Sequence, residues 1–242
     1  MNILYFTKSK PYTCKFVKKM LSDNHYIEIV FKDKLVYENT ELLEICHENG
    51  IHFCDLSQLR KDIANGRSCE FDLAISNTFG KLITKDIIDW LHGNIINLHG
   101  AILPDYKGMF TYNWGIFNEE KKWGATAHFV NEKFDSGKII KVSSFDINPY
   151  EITISELEKK TQACAYQLSL DMVCMFDEGQ EVIGEEQGEF GHYYSREDFE
   201  KLKQIPEGES LMKTQQRVRA CWNPPYEGAY RLIDGEKNYA EL

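Results

Sequence analysis

Short apolar runs alternate with longer segments of helical spacing through the first hundred residues. The apolar runs, typical of strands inside a parallel sheet, are Asn2–Thr7, Tyr26–Phe31, Phe71–Ser76 and Ile95–His99. The segments between them predict helices over Tyr12–Leu21, Thr40–Asn49 and Thr84–Leu91. This alternation predicts an α/β fold in which a parallel sheet is built with right-handed crossovers.

The pattern changes in the last third of the chain. Apolar positions at helical spacing predict one long helix over Glu151–Glu178, which covers the sheet. After Gly179 the segment is acidic and rich in glycine, and Ser195 then predicts a helix start. Near the end, Asp234-Gly235 predicts a hairpin turn between strands Tyr230–Leu232 and Tyr239–Leu242. We therefore expect two units, residues 1–180 and a small C-terminal extension, residues 181–242.

Composition and charge narrow the range of partners. Hydrophobic residues make up 43% and charged residues 27% of the chain, as in ordinary globular proteins. No apolar run approaches the ~20 residues of a membrane helix, and the N-terminus lacks the features of a signal peptide. Seven scattered cysteines without a Cys-x-x-Cys pair predict reduced thiols and a cytoplasmic location. The net charge of −10 disfavours a nucleic-acid partner such as tRNA.

Three polar residues stand where a strand-end active site would place them. Asn97 and His99 are two apart at the end of a predicted strand, so their side chains share one face. Asp135 lies in a Phe-Asp-Ser-Gly turn between two strand-like runs, ATAHFV and KIIKV. Singly, such a histidine is more often structural and such an aspartate more often part of a turn. Together they suit acyl transfer, with an amide for the oxyanion, an imidazole base and a carboxylate that orients the base.

The sequence around these three residues resembles the folate-dependent formyltransferases. The resemblance rests on NLHGAILPDYKG at 97–108, Asn113-Trp114, GATAH at 124–128 and FDSGKII at 134–140. Several of these sequence motifs agree with the family in order and spacing, which makes the resemblance specific. It is strong over the first two-thirds of the chain and patchy before Phe71 and after residue 180. It implies a Rossmann-like formyltransferase core with a short C-terminal helix and β-hairpin extension.

The resemblance assigns the catalytic roles to Asn97, His99 and Asp135. It implies 10-formyltetrahydrofolate as the formyl donor and no metal. His99 would take the proton of the attacking amine and help to hold the oxyanion, because a histidine pKa lies near the working pH. Asn97 would donate to the oxyanion, and Asp135 would hold a protonated His99 or pass the proton to the folate leaving nitrogen.

Two loops are expected to contact the folate. In the family, the loop after the strand FDLAIS and the loop that leads to the catalytic aspartate contact the pterin, largely through backbone groups. The corresponding candidates are Phe79, Gly80, Leu82, Asn131 and Phe134. For Phe79 and Leu82 the alternative is a hydrophobic loop that covers the core.

Further residues are candidates for the acceptor. Lys8 and Lys81 could reach a diphosphate, although a surface lysine is usually only solvated. Trp222 and Tyr226 could stack on a thymine, the alternative being a tryptophan packed on its own Pro-Pro turn. Met109, Phe110 and Tyr112 could line the pocket of a deoxysugar, whose methyl group favours apolar walls.

The acceptor itself is expected to be an amino sugar carried on a nucleotide. The run Thr7-Lys8-Ser9-Lys10-Pro11 lacks the glycines that purine-pathway members use for phosphate, and the end of the chain leaves little room for a tRNA-binding barrel. The layout resembles compact, dimeric dTDP-sugar N-formyltransferases, which implies dTDP-4-amino-4,6-dideoxyglucose as acceptor, a role in O-antigen or surface polysaccharide synthesis, and a homodimer. Two alternatives stay open: another small amine, such as a purine precursor or an amino acid, and a non-catalytic folate-binding module.

Overall fold

A seven-stranded sheet forms the centre of the computed structural model, which describes residues 1–33, 40–188 and 191–241. Its strands are β1 (Asn2–Thr7), β2 (Tyr26–Phe31), β3 (Phe53–Asp55), β4 (Leu73–Asn77), β5 (Ile95–His99), β7 (Lys122–Phe129) and β8 (Ile139–Asp146). They lie in the order β3-β2-β1-β4-β5-β7-β8. The first five are parallel, whereas β7 and β8 run antiparallel to their neighbours. The expected α/β fold is confirmed, with an antiparallel edge added.

Helices cover both faces of the sheet. They are α1 (Pro11–Ser22), α2 (Glu41–Asn49), α3 (Leu56–Ala64), α4 (Lys85–Trp90), α5 (Thr111–Phe117), α6 (Ile154–Asp177), α7 (Arg196–Lys203) and α8 (Leu211–Cys221). Hydrogen bonds from capping side chains determine where several of these helices begin. Thr153 opens α6 by accepting from the backbone N–H of Glu156, whose carboxylate accepts in return from Thr153. Ser195 and Asp198 cap α7 in the same way, so the predicted helix start is confirmed.

Alternate residues of the central strands point into two separate cores. On one face Ile3, Tyr5 and Ile29 pack with α1, α2 and α6. On the other face Leu4, Phe6 and Val30 pack with α3, α4 and the loop after β4. Because both faces of a parallel sheet are covered in this way, its strands are continuous apolar runs. The carboxyl ends of β1, β4 and β5 therefore open on one edge, where a ligand can bind between the two helical layers.

The C-terminal segment packs on α5 rather than standing apart. The apolar side chains of α7 and α8 form a third core with Phe110, Trp114 and Phe117. Two short strands, β6 (Tyr106–Gly108) and β9 (His192–Tyr194), pair in parallel and join this segment to the loop after β5. The division at residue 180 remains a prediction, since the extension shares apolar contacts with the core.

The hairpin at the end of the chain differs from the prediction in its second strand. Strand β10 (Tyr230–Ile233) pairs with β11 (Glu236–Tyr239) around Asp234-Gly235. The second strand was predicted at Tyr239–Leu242, which is wrong for its start, and Leu242 lies outside the described residues. A two-residue turn brings Ile233 opposite Glu236 at once, so pairing begins immediately after Gly235.

Six elements of the described residues were not expected from the sequence: β3, β6, β9, α3, α5 and α8. Phe71 and Asp72, predicted as strand, precede β4 instead. Within the described ranges, none of the helices is long and apolar enough to cross a membrane.

Candidate active site

Strand β5 ends at His99 and carries Asn97 and His99 on one face. Strand β7 runs antiparallel beside it, and the register places His128 directly opposite Asn97. Asp135 comes from the connection between β7 and β8 and lies 3.3 Å (Oδ1) from Nδ1 of His99. The three residues expected to act together are thus brought to one point at the carboxyl end of the sheet.

Both ring nitrogens of the buried His99 face acceptors. Nδ1 faces the Asp135 carboxylate, and Nε2 lies 2.5 Å from the carbonyl oxygen of Tyr106. Burial opposes protonation of the ring, but the Asp135 charge and these hydrogen bonds raise the pKa of His99 above its ordinary value. Because the Asp135 carboxylate and the Tyr106 carbonyl can only accept, this arrangement favours a ring that carries a proton on each nitrogen. Acting as a proton acceptor, as the sequence suggested, requires the hydrogen bond to Tyr106 to break.

Asp135 is held as an ionised carboxylate. Burial opposes its charge, but the charge of His99, which lies beside Oδ1, keeps the pKa of Asp135 well below its usual range. Oδ2 accepts a hydrogen bond of 2.8 Å from the backbone N–H of Gly108. The backbone of Asp135 is left-handed, with φ 52°, which is uncommon for a residue with a side chain and points to a tightly determined loop.

Side chains from two segments hold the loop that carries Asp135. Asn131 accepts hydrogen bonds from the backbone of Lys133 and from the Ser136 hydroxyl. Gln187, beyond α6, donates to the carbonyls of Asp135 (3.0 Å) and Gly137 (2.7 Å). The position of the Asp135 carboxylate therefore depends on a glutamine more than fifty residues further along the chain.

His128 sets the orientation of the Asn97 amide. Its Nδ1 donates to the carbonyl of Phe129 at 2.8 Å, which leaves Nε2 as an acceptor 3.1 Å from Nδ2 of Asn97. The second hydrogen of that amide points toward Oδ1 of Asp135 at 3.5 Å, the outer limit of a hydrogen bond. This hydrogen is free to turn to an oxyanion, which is the role expected for Asn97.

A cavity of about 370 Å³ opens beside these groups, in the usual range for a small-molecule site. Asn97, His99, His128 and Asp135 all line it. Its other walls come from the loop after β4, the loop that carries Asp135, the start of α5 and the middle of α6. A donor and an acceptor could meet here, next to an amide, an imidazolium and a carboxylate.

All five candidates for folate contact line this cavity. Gly80 has φ 68°, so a glycine suits its left-handed backbone. Leu82 and Phe134 are partly exposed at the rim. The ring of Phe79 is buried and packs edge-on against Phe6 at 5.3 Å. Phe79 thus belongs largely to the core, as its alternative interpretation held.

The acceptor candidates divide into two groups. Met109, Phe110, Tyr112, Lys8 and Lys81 line the cavity. Lys81 is paired with Asp33 at 2.5 Å, whereas burial and nearby Lys10 lower the pKa of Lys8. Trp222 and Tyr226 follow α8 and are not among the lining residues, Tyr226 being 74% exposed. A stacking role for these two remains a prediction that the cavity itself does not support.

Sequence reasoning missed His128, Glu158 and Gln162, all of which line the cavity. His128 stood inside the quoted GATAH motif, and only the antiparallel pairing of β5 and β7 reveals its partner. Glu158 and Gln162 are one turn apart on α6, whose apolar side was assigned to the core without asking what its polar residues face. Across the described ranges no group of three or more His, Cys, Asp or Glu side chains is placed to hold a metal ion.

The fold and the arrangement of Asn97, His99 and Asp135 together are typical of one class of protein. An α/β sheet with an antiparallel edge presents an asparagine and a histidine from one strand to an aspartate from the following hairpin. The family described as formyl transferase matches residues 45–173, more than half of the chain and including all three residues. The protein belongs to this formyl transferase family.

The curated relatives of the chain include a phosphoribosylglycinamide formyltransferase and methionyl-tRNA formyltransferases. The chain is 34% identical over 113 residues to a phosphoribosylglycinamide formyltransferase of Haemophilus influenzae, covering 47% of this chain and 53% of that protein. It spans little more than half the length of the curated relatives that it matches first.

Solved structures with this fold include N-formyltransferases. A 4-N formyltransferase from Francisella tularensis superposes with a TM-score of 0.81 at 19% identity, covering 100% of this chain and 96% of that one. An N-formyltransferase of Helicobacter canadensis, solved with folinic acid and dTDP-3-aminofucose, gives 0.74 at 20% identity, covering 98% and 84%. At such identities the likeness establishes the fold.

Proposed function

We propose that the protein transfers the formyl group of 10-formyltetrahydrofolate to the amine of a nucleotide-linked amino sugar. The observation that carries the proposal is the meeting of Asn97, His99 and Asp135 in one cavity of about 370 Å³. Two superpositions support the acceptor class: one on a 4-N formyltransferase over 96% of its chain, and one on an N-formyltransferase solved with dTDP-3-aminofucose over 84% of its chain. dTDP-4-amino-4,6-dideoxyglucose is the first acceptor to test.

The amide and the imidazolium stabilise the tetrahedral intermediate in this proposal. As the amine nitrogen bonds to the formyl carbon, the carbonyl electrons move to oxygen. The N–H of Asn97 that faces Asp135 at 3.5 Å donates instead to that oxygen, a type of contact whose loss costs ~3 kcal/mol of barrier. His99 adds a positive charge that Asp135 holds in place, and in a buried site this charge acts more strongly than in water.

The reaction moves one proton from the acceptor nitrogen to the folate nitrogen. The bond between the formyl carbon and that nitrogen breaks, and the leaving nitrogen takes a proton. Asp135 supplies a carboxylate that can relay the proton, directly or through water. The balance needs no oxidant, reductant or metal, because the formyl group is already activated by its aryl amine leaving group.

The cavity suggests where each reactant lies. The loop after β4 and the loop carrying Asp135 supply the apolar rim for the pterin, through Leu82, Phe134 and the backbone at Gly80. Lys8 is better placed than Lys81 for a phosphate charge, because Lys81 already pairs with Asp33.

Formyl transfer to a panel of amines tests the proposal. The panel contains dTDP-4-amino-4,6-dideoxyglucose, 3-amino isomers and glycinamide ribonucleotide, with folate release followed optically and the product identified by mass. His99→Ala is expected to abolish turnover, while His47→Ala on the surface of α2 serves as a matched control. Turnover only on glycinamide ribonucleotide would establish the purine alternative, and folate binding without any turnover would favour a non-catalytic module.

We also propose that the protein acts as a homodimer joined through the C-terminal hairpin. Leu232 and Ile233 of β10 are 51% and 53% exposed, and Tyr239 of β11 is 45% exposed. Leu232 and Tyr239 share one face of the hairpin, and an exposed apolar face of this kind is typical of an interaction surface. Light scattering after gel filtration is expected to give twice the chain mass, and the mass of one chain for a Leu232→Glu/Ile233→Lys variant.

A further inference from the structure

The cavity has two unlike ends that come from opposite layers of the fold. One end is apolar and is formed by Phe79, Leu82 and Ile83, which belong to the side of the sheet covered by α3 and α4. The other end is polar and is formed by Glu158 and Gln162 of α6 with Tyr112 of α5. Asn97 and His99 lie on the strand between these layers. The apolar end suits a pterin, which leaves the polar end for the acceptor.

Gln162 carries an unused acceptor in this polar end. Its side chain is only 8% exposed, and among the described residues no donor reaches its Oε1. A buried carbonyl without a donor is costly and calls for a partner from outside the protein. Because Oε1 belongs to a residue that lines the cavity, a bound molecule can supply that donor.

The Gln162 amide is held by its neighbours. Burial raises the pKa of the Tyr112 hydroxyl, and a hydrogen bond from the Gln162 side chain opposes that rise. The Tyr112 hydroxyl is in turn seated against the backbone after β5, since a Cβ on Gly100 would lie 2.5 Å from its oxygen. Tyr112 is thus a polar neighbour of the Gln162 side chain, whose Oε1 is left for a ligand.

The charges around Gln162 favour a neutral donor. Glu158, one turn earlier on α6, already pairs with Lys10 at 3.2 Å. Lys8 lies at the same end of the cavity, and a further cation there would face its charge. A hydroxyl is neutral, donates one hydrogen and is present in every amino-dideoxysugar that the proposed reaction could use.

We propose that Gln162 determines acceptor specificity, its Oε1 accepting a hydrogen bond from a ring hydroxyl of the amino sugar. The inference rests on the proposed function and deepens it, because it states how the acceptor is recognised. A site built to bind a hydroxyl rejects an analogue that lacks it, since the buried oxygen is then left without a donor.

The test pairs a protein variant with substrate analogues. The acceptor and two analogues, each lacking one ring hydroxyl, are compared by kcat/KM on the wild type, Gln162→Leu and Gln162→Glu. The wild type is expected to reject one analogue by about tenfold or more, and Gln162→Leu to lose that discrimination. Gln162→Glu keeps an acceptor oxygen and is expected to retain the discrimination.

Folding and folate binding are checked separately. Gln162→Leu is expected to keep the folate Kd of the wild type, because the apolar end is untouched. Gln167→Leu, on the exposed side of the same helix, is the matched control. Equal rejection of the analogue by wild type and Gln162→Leu overturns the inference alone. A wild type that formylates no amino sugar overturns the proposed function, and the inference with it.

Discussion

The Asn97 side chain donates to Nε2 of His128 across two antiparallel strands, at 3.1 Å. The ring can accept because its other nitrogen donates to the Phe129 carbonyl. His128 thus fixes which way the Asn97 amide points while being only 2% exposed itself.

Replacing His128 by leucine is expected to lower kcat and leave the donor KM nearly unchanged. The Asn97 amide loses its acceptor and turns away from the oxyanion, so the loss approaches that of a removed oxyanion donor, about 10²-fold. Steady-state kinetics at varied concentrations of the folate donor measure kcat and KM separately. His47→Leu, on the surface of α2, controls for the loss of a histidine. An unchanged kcat in His128→Leu would show that Asn97 needs no such support.

The His99–Asp135 pair is expected to make stability depend on pH. The pKa of His99 is raised, so its contribution is complete below its unfolded pKa of about 6.5 and is lost as pH rises through the higher folded value. The pKa of Asp135 is lowered, so its contribution is complete above about 3.9 and is lost as pH falls through the lower folded value.

Asp135→Asn should therefore cost most free energy of unfolding between about pH 4 and 6.5, and less in alkaline solution. A hydrogen bond to a charged group contributes about 1.5–3 kcal/mol, which sets the scale. Urea unfolding of both proteins at pH 5.5, 7.5 and 9.5 measures the difference. A cost that grows toward alkaline pH would contradict a charged His99.

Gly100→Ala is expected to destabilise the protein by about 1–3 kcal/mol, because the new methyl group overlaps the Tyr112 hydroxyl. Removing that hydroxyl relieves the overlap, since the next ring atom lies 3.3 Å from the added carbon. The double variant Gly100→Ala/Tyr112→Phe should consequently be more stable than the sum of the single effects. Thermal denaturation of the four proteins in the cycle gives the coupling.

Arg67→Met is expected to cost about 3 kcal/mol of unfolding free energy, far from the active site. The buried Glu28 carboxylate accepts from Arg67 at 2.7 Å, His52 at 2.9 Å and Tyr26 at 2.8 Å. Burial opposes its charge, and these donors hold the pKa of Glu28 below its usual value. Without Arg67 the charge is poorly compensated. Formyl transfer by the folded variant should match the wild type, which separates a stability effect from a catalytic one.

Lys8→Met is expected to weaken nucleotide-sugar binding by about tenfold, the value of one charge-assisted hydrogen bond. Lys81→Met should weaken it less, because Lys81 pairs with Asp33. Titration calorimetry with the dTDP-sugar compares the two substitutions. A larger effect of Lys81→Met would place the diphosphate near the loop after β4 instead.

The sequence predicted the parallel half of the sheet and the proximity of Asn97, His99 and Asp135 because both are carried by local patterns. Continuous apolar runs predicted β1, β2 and β5 at the bounds observed. Helix α8 was missed since Leu211 and Met212 at its start are exposed, which weakens the helical pattern. His128 and Gln162 were missed because their partners, Asn97 and Tyr112, are set by register and packing between distant segments.

The two hydrogen bonds from Gln187 connect the turn that carries Asp135 to the segment that follows α6. Exchanging the tail of this protein for that of a relative would therefore alter the active site as well as the surface. In a chimera that exchanges the C-terminal segment, the junction should lie after Gln187, so that Gln187 and Asp135 come from the same parent. Because of these hydrogen bonds, the segment that contains Gln187 and the turn that contains Asp135 have to be exchanged together.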